Sequence, residues 1–313
     1  MTLRLAILCP GQGGQHPGMF DLLMADPRAA EFLARCQLDS LLGAPQQEVL
    51  RDPQALFANR NAQPLVVAAQ LAAWHGIADR LHAIAGRPAL VAGYSVGELS
   101  ACVVAGVFTP PETVVLAARR AELMDQAAGQ VPQGLMSVGG LGTDLITACL
   151  DRHGAHVAIV TGDDTLIAGG RRDALHAVVV ELAAAGARCG ELPVAVASHT
   201  PLMQAAQAPF AAQLAAMAGA NPATPLLAGV TGQTVSDPAQ CRHLLVRQLG
   251  EPIQWAACMD ACAEQGVNVA LELGPGNALS RMLRERQPAI ACRSLSDFRS
   301  LDGMLSWLER QAD

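Results

Sequence analysis

Apolar residues first gather at residues 3–8, a run that breaks at Pro10-Gly11-Gln12-Gly13-Gly14-Gln15, and this pattern predicts a strand feeding a glycine-rich loop. Residues 64–81 carry apolar positions at helical spacing and predict a long helix. Ala89-Leu90-Val91-Ala92 is again of strand length, while residues 98–105, closed by Gly106, and residues 111–128 have helical spacing. Between Gly134 and Val194 the texture changes. The pattern there predicts strand (135–138), helix (143–152), strand (155–160), strand (165–168), helix (172–185) and strand (187–192). This β-α-β-β-α-β order is the split βαβ, ferredoxin-like arrangement. Helices then resume, with two short apolar runs at residues 269–273 and 289–292.

The expected fold class is α/β: a large α/β-hydrolase-like domain with a parallel sheet, formed by residues 1–132 and 196–313, and an inserted ferredoxin-like subdomain at residues 133–195. With 313 residues, 51% of them hydrophobic, the chain can bury a core of that size. Aromatic residues make up only 3%, which favours packed helices over a β-sandwich. A net charge of −7 with no basic block argues against a nucleic-acid partner. No apolar run is long enough to span a bilayer, and the first strand begins at once, so neither a membrane span nor a signal peptide is expected. Nine cysteines, an odd number mostly in apolar segments, point to reduced thiols and a cytoplasmic location. Cys258 and Cys262 are one helical turn apart, but two small residues on a helix face explain them, and no metal site is expected.

Candidate chemistry centres on Gly93-Tyr94-Ser95-Val96-Gly97, a G-x-S-x-G between a predicted strand and a predicted helix. A strand turning sharply into a helix lifts the serine oxygen clear of the backbone, and the free N–H groups at the helix start suit an oxyanion. The same spacing also fits a tight turn whose serine caps the helix. Among eight histidines, His199 in Ala197-Ser198-His199-Thr200-Pro201 stands where the inserted segment hands back to the main one, a position facing an interdomain cleft. A helix-start histidine before Pro201 is the competing reading. Helical spacing puts Arg120 on an apolar face with Leu116, Leu123 and Ala127, whereas Arg119 falls with Glu112, Glu122 and Gln126. A guanidinium on an apolar stripe needs an anion, which either a structural ion pair or a substrate carboxylate supplies.

Taken in order, Pro10-Gly11-Gln12-Gly13-Gly14-Gln15, Gly93-Tyr94-Ser95-Val96-Gly97-Glu98-Leu99-Ser100-Ala101, Arg120, Ser198-His199 and Gly274-Pro275-Gly276 resemble the malonyl-CoA:acyl-carrier-protein transacylases along nearly the whole chain. The resemblance implies Ser95 as nucleophile, His199 as base, the N–H groups of Gln12 and Val96 as oxyanion hole, and Arg120 as carboxylate anchor. It also implies a main-chain carbonyl that orients the histidine, matched to Gln254 in Glu251-Pro252-Ile253-Gln254-Trp255. Two departures are visible: Tyr94 stands where the fatty-acid-synthesis branch has histidine, and Thr161-Gly162-Asp163-Asp164 replaces an asparagine-proline segment. Tyr94 and the Gly13-Gly14-Gln15-His16-Pro17-Gly18-Met19 continuation look more like the epsilon subunit of malonate decarboxylase.

The expected activity is therefore ping-pong transfer of malonyl from malonyl-CoA, through a serine ester, to the phosphopantetheine-type thiol of an acyl-carrier protein. The carrier of malonate decarboxylase is the expected acceptor, with other decarboxylase subunits as further partners, and no bound cofactor is implied. A fatty-acid or polyketide transacylase is the alternative within the family. An α/β-hydrolase esterase would need an acid and a late histidine, and His243 alone follows His199. A non-catalytic carrier-docking subunit would not need Ser95, His199 and Arg120 together. Arg171, Arg172, Arg281, Arg284 and Arg286 are candidates for a basic patch that meets an acidic carrier, or for a solvated helix face.

Overall fold

A computed structural model describes residues 3–312. Two five-stranded sheets organise it. In chain order the strands are β1 (Leu5–Cys9), β2 (Leu90–Gly93), β3 (Gln133–Gly139), β4 (His156–Val160), β5 (Thr165–Arg171), β6 (Arg188–Glu191), β7 (Leu226–Leu227), β8 (Ile253–Gln254), β9 (Val269–Glu272) and β10 (Ala291–Ser294). The first sheet, ordered β10-β9-β1-β2-β7, is parallel throughout. Its strands β1, β2 and β9 are buried along their whole length, as a parallel sheet covered on both faces requires. The second sheet is ordered β6-β3-β5-β4-β8. Strands β3 to β6 pair antiparallel, and helices Thr143–His153 and Arg172–Ala184 follow β3 and β5, so the expected element order is present. β8, from the later part of the chain, adds to the edge of β4 in parallel and ties the second sheet to the chain that follows it.

One predicted element differs in extent, and two strands are additional. The helix expected from Pro64 runs over Asn59–Ala85, because the Ala58 carbonyl accepts from Asn61 and Ala62 and closes a turn upstream of the proline. A proline this near a helix start removes one backbone donor without ending the helix. The short strands β7 and β8 were not expected at all; with two residues each they carry no periodicity.

One apolar cluster wraps the parallel sheet with the Asn59–Ala85 helix at its centre, and a smaller one, including Met136, Ile146, Leu150 and Val178, fills the space between the second sheet and its two helices. All nine cysteines are free thiols, and all but Cys189 are buried. Among the described residues no helix is long and apolar enough to cross a membrane. A cleft of about 850 Å³ opens between the two units, with Gly11, Gln12 and Tyr94 on one wall, Ser137 and Val194 on another, and Arg281 at its rim.

Candidate active site

Ser95 sits between β2 and the helix Gly97–Val104 with a left-handed φ of 55°. Such a φ is costly for a side-chain-bearing residue and marks a site where the surroundings enforce it. The flanking glycines are required by contact. A Cβ on Gly97 would lie 2.1 Å from the Cys9 carbonyl oxygen, and one on Gly93 would lie 2.2 Å from Glu98 Cα. The loop after β1 therefore presses directly against the serine turn. A Cβ on Gly11 would stand 3.5 Å from Ser95 Cβ, which brings Gln12 beside the serine. Neither the Gln12 nor the Val96 N–H has an acceptor within the protein among the described residues.

His199 also has a left-handed φ, of 63°. Its Nε2 is 2.8 Å from Ser95 Oγ, and its Nδ1 is 2.6 Å from the Gln248 carbonyl oxygen. A carbonyl only accepts, so Nδ1 carries the proton and Nε2 is left free to take one from the serine hydroxyl. Burial, with the nearby Arg120 charge, pushes the imidazole down to about 3, so it is neutral at pH 7. The same helix end holds the histidine backbone, because the His199 N–H donates to the Leu249 carbonyl at 2.9 Å. Gln248 and Leu249 lie in the last turn of helix Pro238–Gly250, where carbonyls have no intrahelical partner.

This corrects the expectation for Gln254. Its N–H donates to the Gly229 carbonyl at 2.7 Å, and it pairs with β4 through β8; the carbonyl that meets His199 belongs to Gln248, six positions upstream. A backbone carbonyl carries no side-chain signal, so only the helix end before Glu251-Pro252 could have pointed to it.

Arg120 is 2% exposed in helix Pro110–Ala128, with Leu116 and Leu123 buried on the same face. Arg119 instead faces out and pairs with Glu122. The Arg120 guanidinium donates from Nη1 to Gln63 Oε1 at 2.7 Å and from Nη2 to Gln248 Oε1 at 3.0 Å. Both partners are neutral amides, and among the described residues no carboxylate pairs with it. Desolvation pushes it down to about 10, with Glu98 opposing, so it remains a buried cation at neutral pH. The structural ion pair that sequence alone allowed is absent from the described residues. Gln63 and Gln248 are functional neighbours that sequence reasoning missed, since glutamines on buried helix faces have no distinctive spacing.

Of the candidate basic patch, Arg171 pairs with Asp173, Arg172 with Glu191, and Arg286 with Asp260 and Asp163, while Arg284 donates to the Cys292 carbonyl. Arg281 alone of the five lines the cleft without such a partner among the described residues. Cys262 Sγ donates to the Cys258 carbonyl, an ordinary contact within a helix. Cys149, His153 and Glu181 bring three ligand atoms within 4.8 Å of one another, but Glu181 is engaged by Arg152 and His153, and none of the three lines the cleft.

An elbow serine against a neutral, backbone-oriented histidine defines an enzyme that carries a group through a serine ester. The chain belongs to the acyl transferase domain family, which matches residues 7–295, and it is an acyltransferase. It is similar to the malonyl CoA-acyl carrier protein transacylase of Mycobacterium bovis, 33% identical over 299 residues that cover 95% of this chain and 98% of that protein. The Salmonella typhimurium enzyme of the same name is 30% identical over 311 residues, covering 97% and 99%. Among solved structures, MCAT from Mycobacterium tuberculosis superposes with a TM-score of 0.89 at 31% identity, covering 98% and 99% of the two chains. A malonyl-transacylase in complex with its type II PKS acyl-carrier protein gives 0.88 at 28% identity, covering 97% and 99%.

Proposed function

We propose that the enzyme transfers malonyl from malonyl-CoA through a Ser95 ester to the phosphopantetheine-type thiol of an acyl-carrier protein. The observation that carries the diacid is Arg120, a buried guanidinium whose only hydrogen-bond partners among the described residues are two neutral amides. A carboxylate beside it offsets its desolvation, and the planar fork takes one bidentately. His199 Nε2 takes the Ser95 proton as Oγ attacks the thioester carbonyl. The N–H groups of Gln12 and Val96 meet the oxyanion; losing one such donor costs about 10²–10³ in rate. The thiolate of CoA leaves with the proton from His199, and the carrier thiol then attacks the ester by the reverse route. No step needs a bound cofactor. The larger unit is read as α/β-hydrolase-like and residues 133–195 as a ferredoxin-like insertion, a reading supported by the β6-β3-β5-β4 strand order.

Tyr94 supports the malonate decarboxylase carrier as acceptor: its ring lines the cleft, edge-on to Trp255 at 5.2 Å, where the fatty-acid branch has histidine. The malonyl CoA-acyl carrier protein transacylases among its relatives support a fatty-acid or polyketide carrier. Mass spectrometry after mixing with malonyl-CoA tests the reaction: a malonyl adduct on the Ser95 peptide, absent in Ser95→Ala, is expected, and an adduct on a cysteine peptide would overturn it. Transfer from that adduct to each of the two carriers decides between the acceptors.

A further inference from the structure

Glu98 is a buried carboxyl that the mechanism above does not use. It lies in the first turn of the Gly97–Val104 helix, three residues from the nucleophile, and is 2% exposed. Its Oε2 accepts from the Gly229 N–H at 3.1 Å and from Gln248 Nε2. Gln248 Nε2 also donates to the Ser95 carbonyl at 3.2 Å, while Gln248 Oε1 accepts from Arg120. The two ends of an amide have nearly the same shape, so its orientation is decided by what surrounds each end. Here one end faces two acceptors and the other a cationic donor, and only one orientation satisfies all three.

We propose that Glu98 is a positioning residue: its Oε2 locks the Gln248 amide with Nε2 toward the nucleophile turn, so that Oε1 holds the Arg120 guanidinium in the pose that receives the acyl carboxylate. Without the Glu98 oxygen, Nε2 keeps only its 3.2 Å contact with the Ser95 carbonyl, while the Gly229 N–H loses its acceptor and competes for Gln248 Oε1. In the amide turned toward Gly229, Nε2 faces Arg120, donor against donor. The Gln248 backbone carbonyl, fixed by the helix end, continues to orient His199, so the disturbance falls on the acyl carboxylate and spares the proton transfer. Burial lifts the Glu98 carboxyl to about 7, but a protonated carboxyl keeps an acceptor oxygen, so the lock does not depend on its charge.

The inference rests on the malonyl reading of Arg120, and the test separates the two. Single-turnover acylation of the whole enzyme is measured with malonyl-CoA and with acetyl-CoA, which needs no carrier protein. In Glu98→Met the malonyl-to-acetyl ratio of acylation efficiencies is expected to fall at least about tenfold, through weaker malonyl-CoA saturation rather than a lower maximal rate. Glu98→Gln keeps an oxygen acceptor at the same place and is expected to restore the ratio to within about twofold. A parallel fall for both donors, an unchanged ratio, or a Gln variant as impaired as the Met variant overturns the role. Should Glu98→Met fail to fold by circular dichroism, Glu98→Ala removes the same acceptor with a smaller side chain and leaves Gln248 in place. The same selective loss supports the proposal, and an equal loss for both donors overturns it. An unmodified enzyme with no preference for malonyl over acetyl overturns the malonyl reading itself; a preference that Glu98→Met leaves undiminished overturns only the role of Glu98.

Discussion

Removing the Arg120 side chain is the sharpest test of diacid selection. The guanidinium has more N–H groups than the Gln63 and Gln248 oxygens use, so a substrate carboxylate can be held without breaking either bond. Each hydrogen bond to a charged group is worth about 1.5–3 kcal/mol, so a bidentate pair contributes about 3–6 kcal/mol to malonyl transfer. At about 1.4 kcal/mol per decade, Arg120→Ala should lower malonyl-CoA kcat/KM by about two to four powers of ten. Acetyl-CoA behaves differently. In the unmodified enzyme an acetyl group leaves a desolvated guanidinium unmatched, and the alanine variant removes that penalty, so acetyl transfer should hold or rise. Arg120→Lys should recover only part of the malonyl rate, because an ammonium lacks the planar fork. Arg119→Ala is the control, since Arg119 is half-buried on the outer face and paired with Glu122. The assay is kcat/KM for both donors in all four proteins. An unchanged malonyl-to-acetyl ratio in Arg120→Ala, or an equal fall in Arg119→Ala, would refute the reasoning and make Arg120 a structural cation.

His199→Ala should slow acylation by about 10²–10⁴ while leaving the circular dichroism unchanged, and a near-normal rate would place the base elsewhere. Because burial holds His199 at about 3, acylation in Glu98→Gln, where the neighbouring carboxyl no longer titrates, should stay flat from pH 8 down to about pH 5; a midpoint at pH 6.5 would contradict a buried neutral imidazole. The stability linkage has the matching sign: the unfolded chain binds this proton first, so the contribution of His199 is complete above pH 6.5 and is lost as pH falls toward 3. Gly97→Ala places a methyl 2.1 Å from the Cys9 oxygen and 2.5 Å from the Pro10 oxygen, both backbone, so it should lower Tm by several degrees and impair acylation together; an unaltered melt would mean the loop yields freely.

What the sequence made legible was whatever has a side-chain pattern. The G-x-S-x-G spacing marked a sharp strand-to-helix turn at Ser95, and the structure adds what the sequence did not show, the close approach of the Cys9 carbonyl to Gly97. Helical spacing separated Arg120 from Arg119 correctly, because burial follows the face of a helix. The β-α-β-β-α-β order was visible because each of its strands has four or more residues, whereas β7 and β8 are two residues each. The candidate arginines stayed open between a basic patch and a solvated face, since composition does not show that Arg171, Arg172 and Arg286 have carboxylate partners. Gln254 misled. The feature that matters is a carbonyl made available by the end of a helix, and its position depends on where helix Pro238–Gly250 stops rather than on which side chain follows.

That helix end explains why so few charged groups are needed here. Its last turn offers two unpaired carbonyls to one histidine: one fixes the backbone of His199, and the other fixes its tautomer. The negative end of the helix dipole also lies where the imidazolium forms during proton transfer, a favourable placement for a transient cation. A carboxylate in that role would add a full negative charge close to Arg120 and would compete with the substrate for it. A neutral carbonyl orients His199 and leaves the guanidinium free for the acyl carboxylate that the proposed reaction brings. Among the described residues the carboxyl nearest to it, Glu98, is kept from direct contact by the Gln248 amide that bridges them. Under the proposed reaction, orientation by backbone and recognition by an unspent cation belong to one arrangement, in which a single residue, Gln248, meets His199 through its carbonyl and Arg120 through its side chain.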